Sequence, residues 1–242
     1  MLYAVLGDIH SNFEALDTVL KDIEKEGAGR VLSVGDVVGY AAEPSGCLAA
    51  VRNVTDAIVA GNHDYAAIGK MDVSYFNPHA KEAVLWTREH LSKEDKVFLS
   101  SLPLVRELEE EGITLVHGTL YEPEQFYYLQ TYEDAERCFA ILRTRICFIG
   151  HSHVPVAILK NGKIRAETKG EVDLKNTELA IVNVGSVGQP RDGNPWACYA
   201  LYDTEEELIR FRRLEYDIES ASRKIIEAGL PEFEAERLKL GV

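Results

Sequence analysis

The chain has 242 residues, with 26 Lys and Arg against 40 Asp and Glu, so its formal net charge is −14. That balance argues against a protein that grips duplex nucleic acid or an anionic membrane through a basic face, but an acidic site holding divalent cations still suits a phosphate. A chain of this length buries roughly 70–75% of its unfolded surface, so Cys47, Cys138, Cys147 and Cys198, which lack C-x-x-C spacing, read as free thiols rather than staples.

The opening MLYAVLGDIHSN has no basic leader and meets Asp8 early, and no apolar run approaches a membrane span. The expectation is a cytoplasmic protein. Strands are expected at Leu2–Gly7, Arg30–Gly35, Ala57–Ala60, Ile113–His117, Ile146–Ile149, Pro155–Leu159, Leu179–Val184, Cys198–Tyr202 and Leu208–Arg213. The first five are apolar runs of the kind covered on both faces. Between the first two, Phe13, Leu16, Val19, Leu20 and Ile23 share one helical face, with Ser11 and Glu14 as a capping box and Gly27 or Gly29 as the stop. A helix over 45–54 precedes the third strand. Residues 65–110 break the rhythm and read as a helical insertion or cap, with Pro78 near one helix start and Pro103 after the second. A helix over 132–143 follows, then mostly β structure over 155–216 with turns at Asn161-Gly162 and Gly193-Asn194-Pro195. Two C-terminal helices over 217–242 separate at Gly229-Leu230-Pro231. The whole of 1–242 reads as a single α/β domain.

Each polar cluster that could carry chemistry sits at a strand end: Gly7-Asp8-Ile9-His10, Gly35-Asp36, Gly61-Asn62-His63-Asp64, His117-Gly118 and Gly150-His151-Ser152-His153. Ligands of open α/β sheets bind beyond the carboxyl ends of strands, so five such ends imply one convergent site. Two carboxylates, four imidazoles and an amide suit Mn, Fe, Co, Ni or Zn as divalent ions. Seven donors exceed one tetrahedral ion but serve two if a carboxylate bridges. The glycines before them permit close approach.

The ordered pattern D-x-H, G-D, G-N-H-D, H-G and G-H-x-H resembles that of the calcineurin-like metallophosphoesterases. The later NVGSVGQPRDGNP looks like a strand-end motif of the family's bacterial phosphodiesterase branch. The resemblance implies a four-layer α/β/β/α sandwich with two mixed sheets. It implies that Asp8, His10 and His153 hold a first metal, that Asn62, His117 and His151 hold a second, and that Asp36 bridges them. It implies that His63 faces the substrate phosphate and assists the leaving group, with Asp64 orienting its ring. The implied reaction is in-line attack on phosphorus by a metal-bridging hydroxide.

The family's protein phosphatases carry G-D-x-V-D-R-G and G-N-H-E, whereas here Gly39-Tyr40 replaces Asp-Arg and Asp64 replaces Glu. The arginine would clamp a monoester dianion, so its loss favours a diester. Arg191 is the candidate anion contact, or else a surface arginine paired with Asp192. Tyr127, within Phe126-Tyr127-Tyr128, either stacks on a base or aryl group or belongs to the core. His79 and His90 read as solvent-facing. The expected partner is a small phosphorylated substrate, with a nucleotide among the candidates. Alternatives are a dinucleoside polyphosphate or nucleotide hydrolase, a phosphomonoesterase, or a non-catalytic protein-binding scaffold on the same fold, which the retained His63 argues against.

Overall fold

The computed structural model describes residues 1–55 and 57–242. In chain order the first half contains β1 (Leu2–Leu6), α1 (Phe13–Glu26), β2 (Arg30–Ser33), α2 (Pro44–Val54) and β3 (Ala57–Ile58). Then come α3 (Asn62–Ala67), a 3-10 turn at Val73–Tyr75, α4 (Pro78–His90), α5 (Lys93–Ser101), β4 (Val105–Leu108), β5 (Ile113–Val116), α6 (Tyr132–Ile141) and β6 (Ile146–Ile149). The second half adds β7 (Val156–Asn161), β8 (Lys163–Glu167), β9 (Glu171–Asp173), β10 (Leu179–Asn183), β11 (Ala197–Asp203), β12 (Leu208–Leu214), α7 (Ile218–Glu227) and α8 (Glu232–Leu240).

The strands form two six-stranded mixed sheets, ordered β3-β2-β1-β11-β12-β9 and β4-β5-β6-β10-β7-β8. In the first, β1 runs parallel to β2 and antiparallel to β11. In the second, β6 lies parallel to both β5 and β10. Alternation along each strand sends side chains to opposite faces, and the burial follows it. Val5, Leu32, Leu115, Phe148, Leu159 and Val182 fill the space between the sheets. Ala4, Leu6, Tyr199 and Leu201 face outward onto Leu16 and Val19 of α1 and Leu48 and Val51 of α2. On the far side, Val116, Cys147, Ile149 and Ile181 pack under Ala135, Cys138 and Phe139 of α6. The four-layer α/β/β/α sandwich is therefore present. Each large apolar side chain it buries contributes about 1.5–3 kcal/mol. The four cysteines are free and buried.

Three differences from the sequence expectations have physical causes. Strands β4, β8 and β9 were not expected: they are short, largely polar pieces such as Lys-Ile-Arg-Ala-Glu whose pairing comes from the sheet edge, not from their own apolar pattern. The helical stretch after α3 accordingly ends before β4. The cap of α1 is Asn12, whose side chain accepts from Ala15 N at 3.2 Å. Ser11, expected there, sits at φ 59° and accepts instead from Gly39 N at 3.1 Å, tying the β1 and β2 strand ends together.

Candidate metal centre

The strand ends of both sheets meet over one point. Asp8 and His10 follow β1, Asp36 follows β2, Asn62 begins α3 after β3, His117 follows β5, and His151 and His153 follow β6. All seven candidate donors are buried. His153 Nε2 lies 3.1 Å from His10 Nε2 and 3.2 Å from Asp8 Oδ1. His117 Nε2 lies 3.2 Å from Asp36 Oδ2 and 3.1 Å from Asn62 Oδ1. His10 Nε2 stands 3.8 Å from Asp8 Oδ1 and 3.7 Å from Asp36 Oδ2, so Asp36 lies between the two groups. Asp8, His10 and His153 form one compact donor set, and Asp36, His117 and His151 form another.

The second nitrogens explain how the donors are aimed. Nδ1 of His10, His117 and His153 contacts the carbonyls of Val38 (3.1 Å), Val34 (2.9 Å) and Gln189 (2.6 Å). A carbonyl can only accept, so each Nδ1 carries the hydrogen, and in the neutral ring Nε2 presents its lone pair. Two such lone pairs 3.1 Å apart beside carboxylates form a cation-shaped set, and its nitrogen and oxygen chemistry fits borderline divalent ions. Asp8, His10, Asp36, His151 and His153 all adopt left-handed backbone with φ between 51° and 69°. For non-glycine residues that costs about 1–2 kcal/mol each, the kind of strain that collects at functional sites.

Burial holds His10, His151 and His153 below the usual imidazole range, which keeps them neutral. Burial also opposes charge on His117, but the adjacent Asp36 outweighs it and pushes His117 up to about 9. Burial alone would raise Asp36. The surrounding imidazoles, His117 first, hold it well below the carboxylate range instead.

His63 lies in the first turn of α3, with its ring 4.4 Å from Tyr40, 4.8 Å from His10 and 5.0 Å from Phe76. Its backbone N–H donates to Asp36 Oδ1 at 2.8 Å. Two glycines make this packing possible. A Cβ on Gly61 would stand 2.0 Å from Asp36 Oδ1, and one on Gly39, at φ 102°, would stand 2.5 Å from His63 Nδ1.

The expected pairing of Asp64 with His63 is absent. Asp64 Oδ1 accepts from the N–H groups of Val37 (3.0 Å) and Val38 (3.2 Å), and Oδ2 from Asp36 and Gly61, both at 2.9 Å. Asp64 therefore clamps the loop carrying Asp36, while buried His63 Nδ1 has no hydrogen-bond partner among the described residues.

Arg191 reaches the site without pairing to Asp192, which is taken by Arg213. Arg191 Nη2 donates to Tyr40 OH at 3.2 Å and to Gln189 Oε1 at 2.8 Å, and its buried Nε has no partner among the described residues. Gln189 Nε2 in turn donates to Glu234 of α8 at 2.9 Å. Tyr40 stands at the position of the missing motif arginine, and its hydroxyl accepts from an arginine delivered by a different loop. Nothing local in the sequence signals this chain of contacts, because its members are separated by up to 194 positions (234 − 40).

Two cavities meet at Tyr128, whose ring stacks on His151 at 3.9 Å and 17°. The inner one, about 300 Å³, is lined by Asn62, His63, Phe76 and His151. The outer one, about 530 Å³, includes Tyr127. His79 and His90 are outside the site, against Phe233 and Trp86.

This fold and site define a metal-dependent phosphoester hydrolase. The calcineurin-like phosphoesterase superfamily domain matches residues 1–207, and the chain belongs to that superfamily. It is 39% identical to an uncharacterized protein of Methanocaldococcus jannaschii, over 99% of this chain and 98% of that one. The crystal structure of a metallophosphoesterase from Sphaerobacter thermophilus is similar with a TM-score of 0.89 and 34% identity, covering 100% and 99% of the two chains. A hypothetical protein of Pyrococcus horikoshii shares the fold with a TM-score of 0.81 at 22% identity, covering 100% and 98%.

Proposed function

We propose that the chain is a phosphodiesterase working with two divalent ions, one held by Asp8, His10 and His153, the other by Asn62, His117 and His151, with Asp36 between them. The observation that carries this reading is the pair of Nε2 atoms 3.1 Å apart whose Nδ1 atoms are committed to carbonyls. When bound, the ions would neutralise phosphate oxygens and lower the pKa of a water between them. The protein supplies the rest. Asp64 fixes the Asp36 loop through four backbone N–H groups. His63, on the wall of the inner cavity, donates a hydrogen bond to the departing ester oxygen. Arg191, held by Tyr40 and Gln189, contacts a non-bridging phosphate oxygen.

Two cavities meeting beside the donor cluster offer room for two organic arms, which favours a diester over a monoester. The test is turnover of bis-p-nitrophenyl phosphate and of p-nitrophenyl phosphate with added Mn²⁺ and with EDTA. The diester should be the better substrate, and EDTA should stop its turnover. Equal rates with chelator, full activity in His63→Ala, or a preference for the monoester would overturn the proposal.

A further inference from the structure

The outer cavity has a chemistry that the hydrolytic reading leaves unused. Tyr121, Tyr127 and Tyr128 line it and are 42%, 49% and 45% exposed, so three aromatic rings are partly open in one concave place. Its volume of about 530 Å³ falls within the usual range for small-molecule sites. Tyr128 belongs to both cavities and covers His151, so a group seated in the outer cavity is joined to the donor cluster across one ring thickness.

Its polar groups narrow the occupant. Arg137 lines the cavity, yet its Nη2 is bound to Glu133 at 2.6 Å and its guanidinium lies 5.8 Å over the Tyr121 ring. Among the described lining residues no other side chain is cationic, and Glu122 and Asp134 add carboxylates, the latter already accepting from Thr131 at the start of α6. A second phosphate is therefore not suited to this cavity. Gln130 places an amide there, able to donate and accept together. Partly open aromatic rings, an amide, two carboxylates and a single arginine already paired with Glu133 match a flat ring with hydrogen-bonding edges.

We infer that the outer cavity is a nucleobase subsite, with Tyr127 and Tyr121 as stacking faces, and that one arm of the substrate is a nucleoside. The inference rests on the phosphodiesterase reading for its placement, but binding without turnover tests it. Adenosine 5′-monophosphate, ribose 5-phosphate and phenyl phosphate are titrated calorimetrically into the Mn²⁺-loaded protein. Stacking of a base on tyrosine predicts that the nucleotide binds roughly tenfold more tightly than the sugar phosphate. That ratio should fall towards one in Tyr127→Ala and in Tyr121→Ala, and should persist in Tyr127→Phe, which keeps the ring. Equal affinity for nucleotide and sugar phosphate, or an unchanged ratio in both alanine variants, overturns the subsite. Phenyl phosphate binding as tightly as the nucleotide overturns the nucleobase and leaves a general aryl pocket. Tight nucleotide binding without diester turnover upholds the subsite while refuting the phosphodiesterase.

Discussion

Replacing Asp64 by Asn separates two accounts of this residue. If Asp64 orients His63, the variant should fold as well as the parent and lose turnover. The geometry says otherwise. Each carboxylate oxygen accepts two backbone N–H groups, all four from buried residues. An asparagine amide has only one acceptor oxygen, so either flip turns its NH2 against two donors, Val37 and Val38 or Asp36 and Gly61. A buried donor left without its acceptor costs about 1–3 kcal/mol, hence roughly 2–6 kcal/mol for the pair. Domains have only about 5–15 kcal/mol in total. At about 2–4 °C per kcal/mol for a chain of this size, Tm should fall by roughly 5–20 °C. The assay is thermal unfolding followed by circular dichroism in metal-free buffer, with bound Mn²⁺ measured separately. The Asp36 loop should loosen, so metal affinity should drop as well. A variant melting within about 2 °C of the parent, with metal affinity intact and turnover lost, would refute the clamp and return Asp64 to His63.

Gly39→Ala places a Cβ against His63 Nδ1 in a left-handed segment. The expected result is a loss of kcat of roughly 100-fold or more with metal content retained, and a parental kcat would show that the ring's placement does not matter. Removing metal with EDTA should abolish turnover. Restoring Mn²⁺ at 100 times its Kd should raise Tm by roughly 5–10 °C, and no shift with any divalent ion tried would count against the centre. Asp22, buried under Tyr199 at 2.7 Å and Arg212 at 2.9 Å, tests electrostatics away from the site. Burial would raise its pKa, but the Arg212 and Tyr199 hydrogen bonds outweigh it and leave it below 3.8. A depressed carboxylate contributes stability that is full above its unfolded value and is lost as pH falls through the folded one. Asp22→Asn should therefore cost about 2–3 kcal/mol at neutral pH, and the gap to the parent, read from urea midpoints, should narrow below about pH 4. A gap independent of pH would refute the charge argument.

The convergence of the seven candidate donors was legible because each follows an apolar strand, and strands of parallel pairs must deliver their carboxyl ends to one edge. All the helices but α3 were legible from apolar spacing, Pro78 and the Gly229-Leu230-Pro231 break, while α3, which starts at Asn62, read only as a strand-end motif. What the residues did not announce are contacts whose partners lie far apart in the chain. Asp64 reads as a neighbour of His63, yet in a helical first turn its side chain points back at the strand-end loops and finds four N–H groups there. Ser11 reads as a helix cap, yet the left-handed turn at His10 and Ser11 sends it to Gly39. Tyr127 drew the aromatic reading, while its neighbour Tyr128 is the ring that lies on His151. Adjacent residues on an irregular segment face different ways, and no period reveals which.

The seven donors and the residues that shape the substrate come from different parts of the chain. The superfamily match spans residues 1–207, and every candidate donor lies within that span. The support of Arg191 does not: it runs through Gln189 to Glu234 in α8, a helix beyond that boundary. Arg237 of the same helix stands 5.8 Å from the Tyr40 ring, so the C-terminal segment backs the tyrosine that takes the place of the motif arginine. Cation capture demands fixed donors, and the five left-handed residues and three carbonyl-locked imidazoles supply that rigidity at a local cost. Substrate choice demands only a surface around them, which the C-terminal helix and the aromatic segment before α6 can vary without moving a donor. Ion binding and substrate choice are thus separable by mutation. Changes at Glu234 or Arg237 should alter KM and leave metal affinity in place, whereas changes at Asp64 should do the reverse.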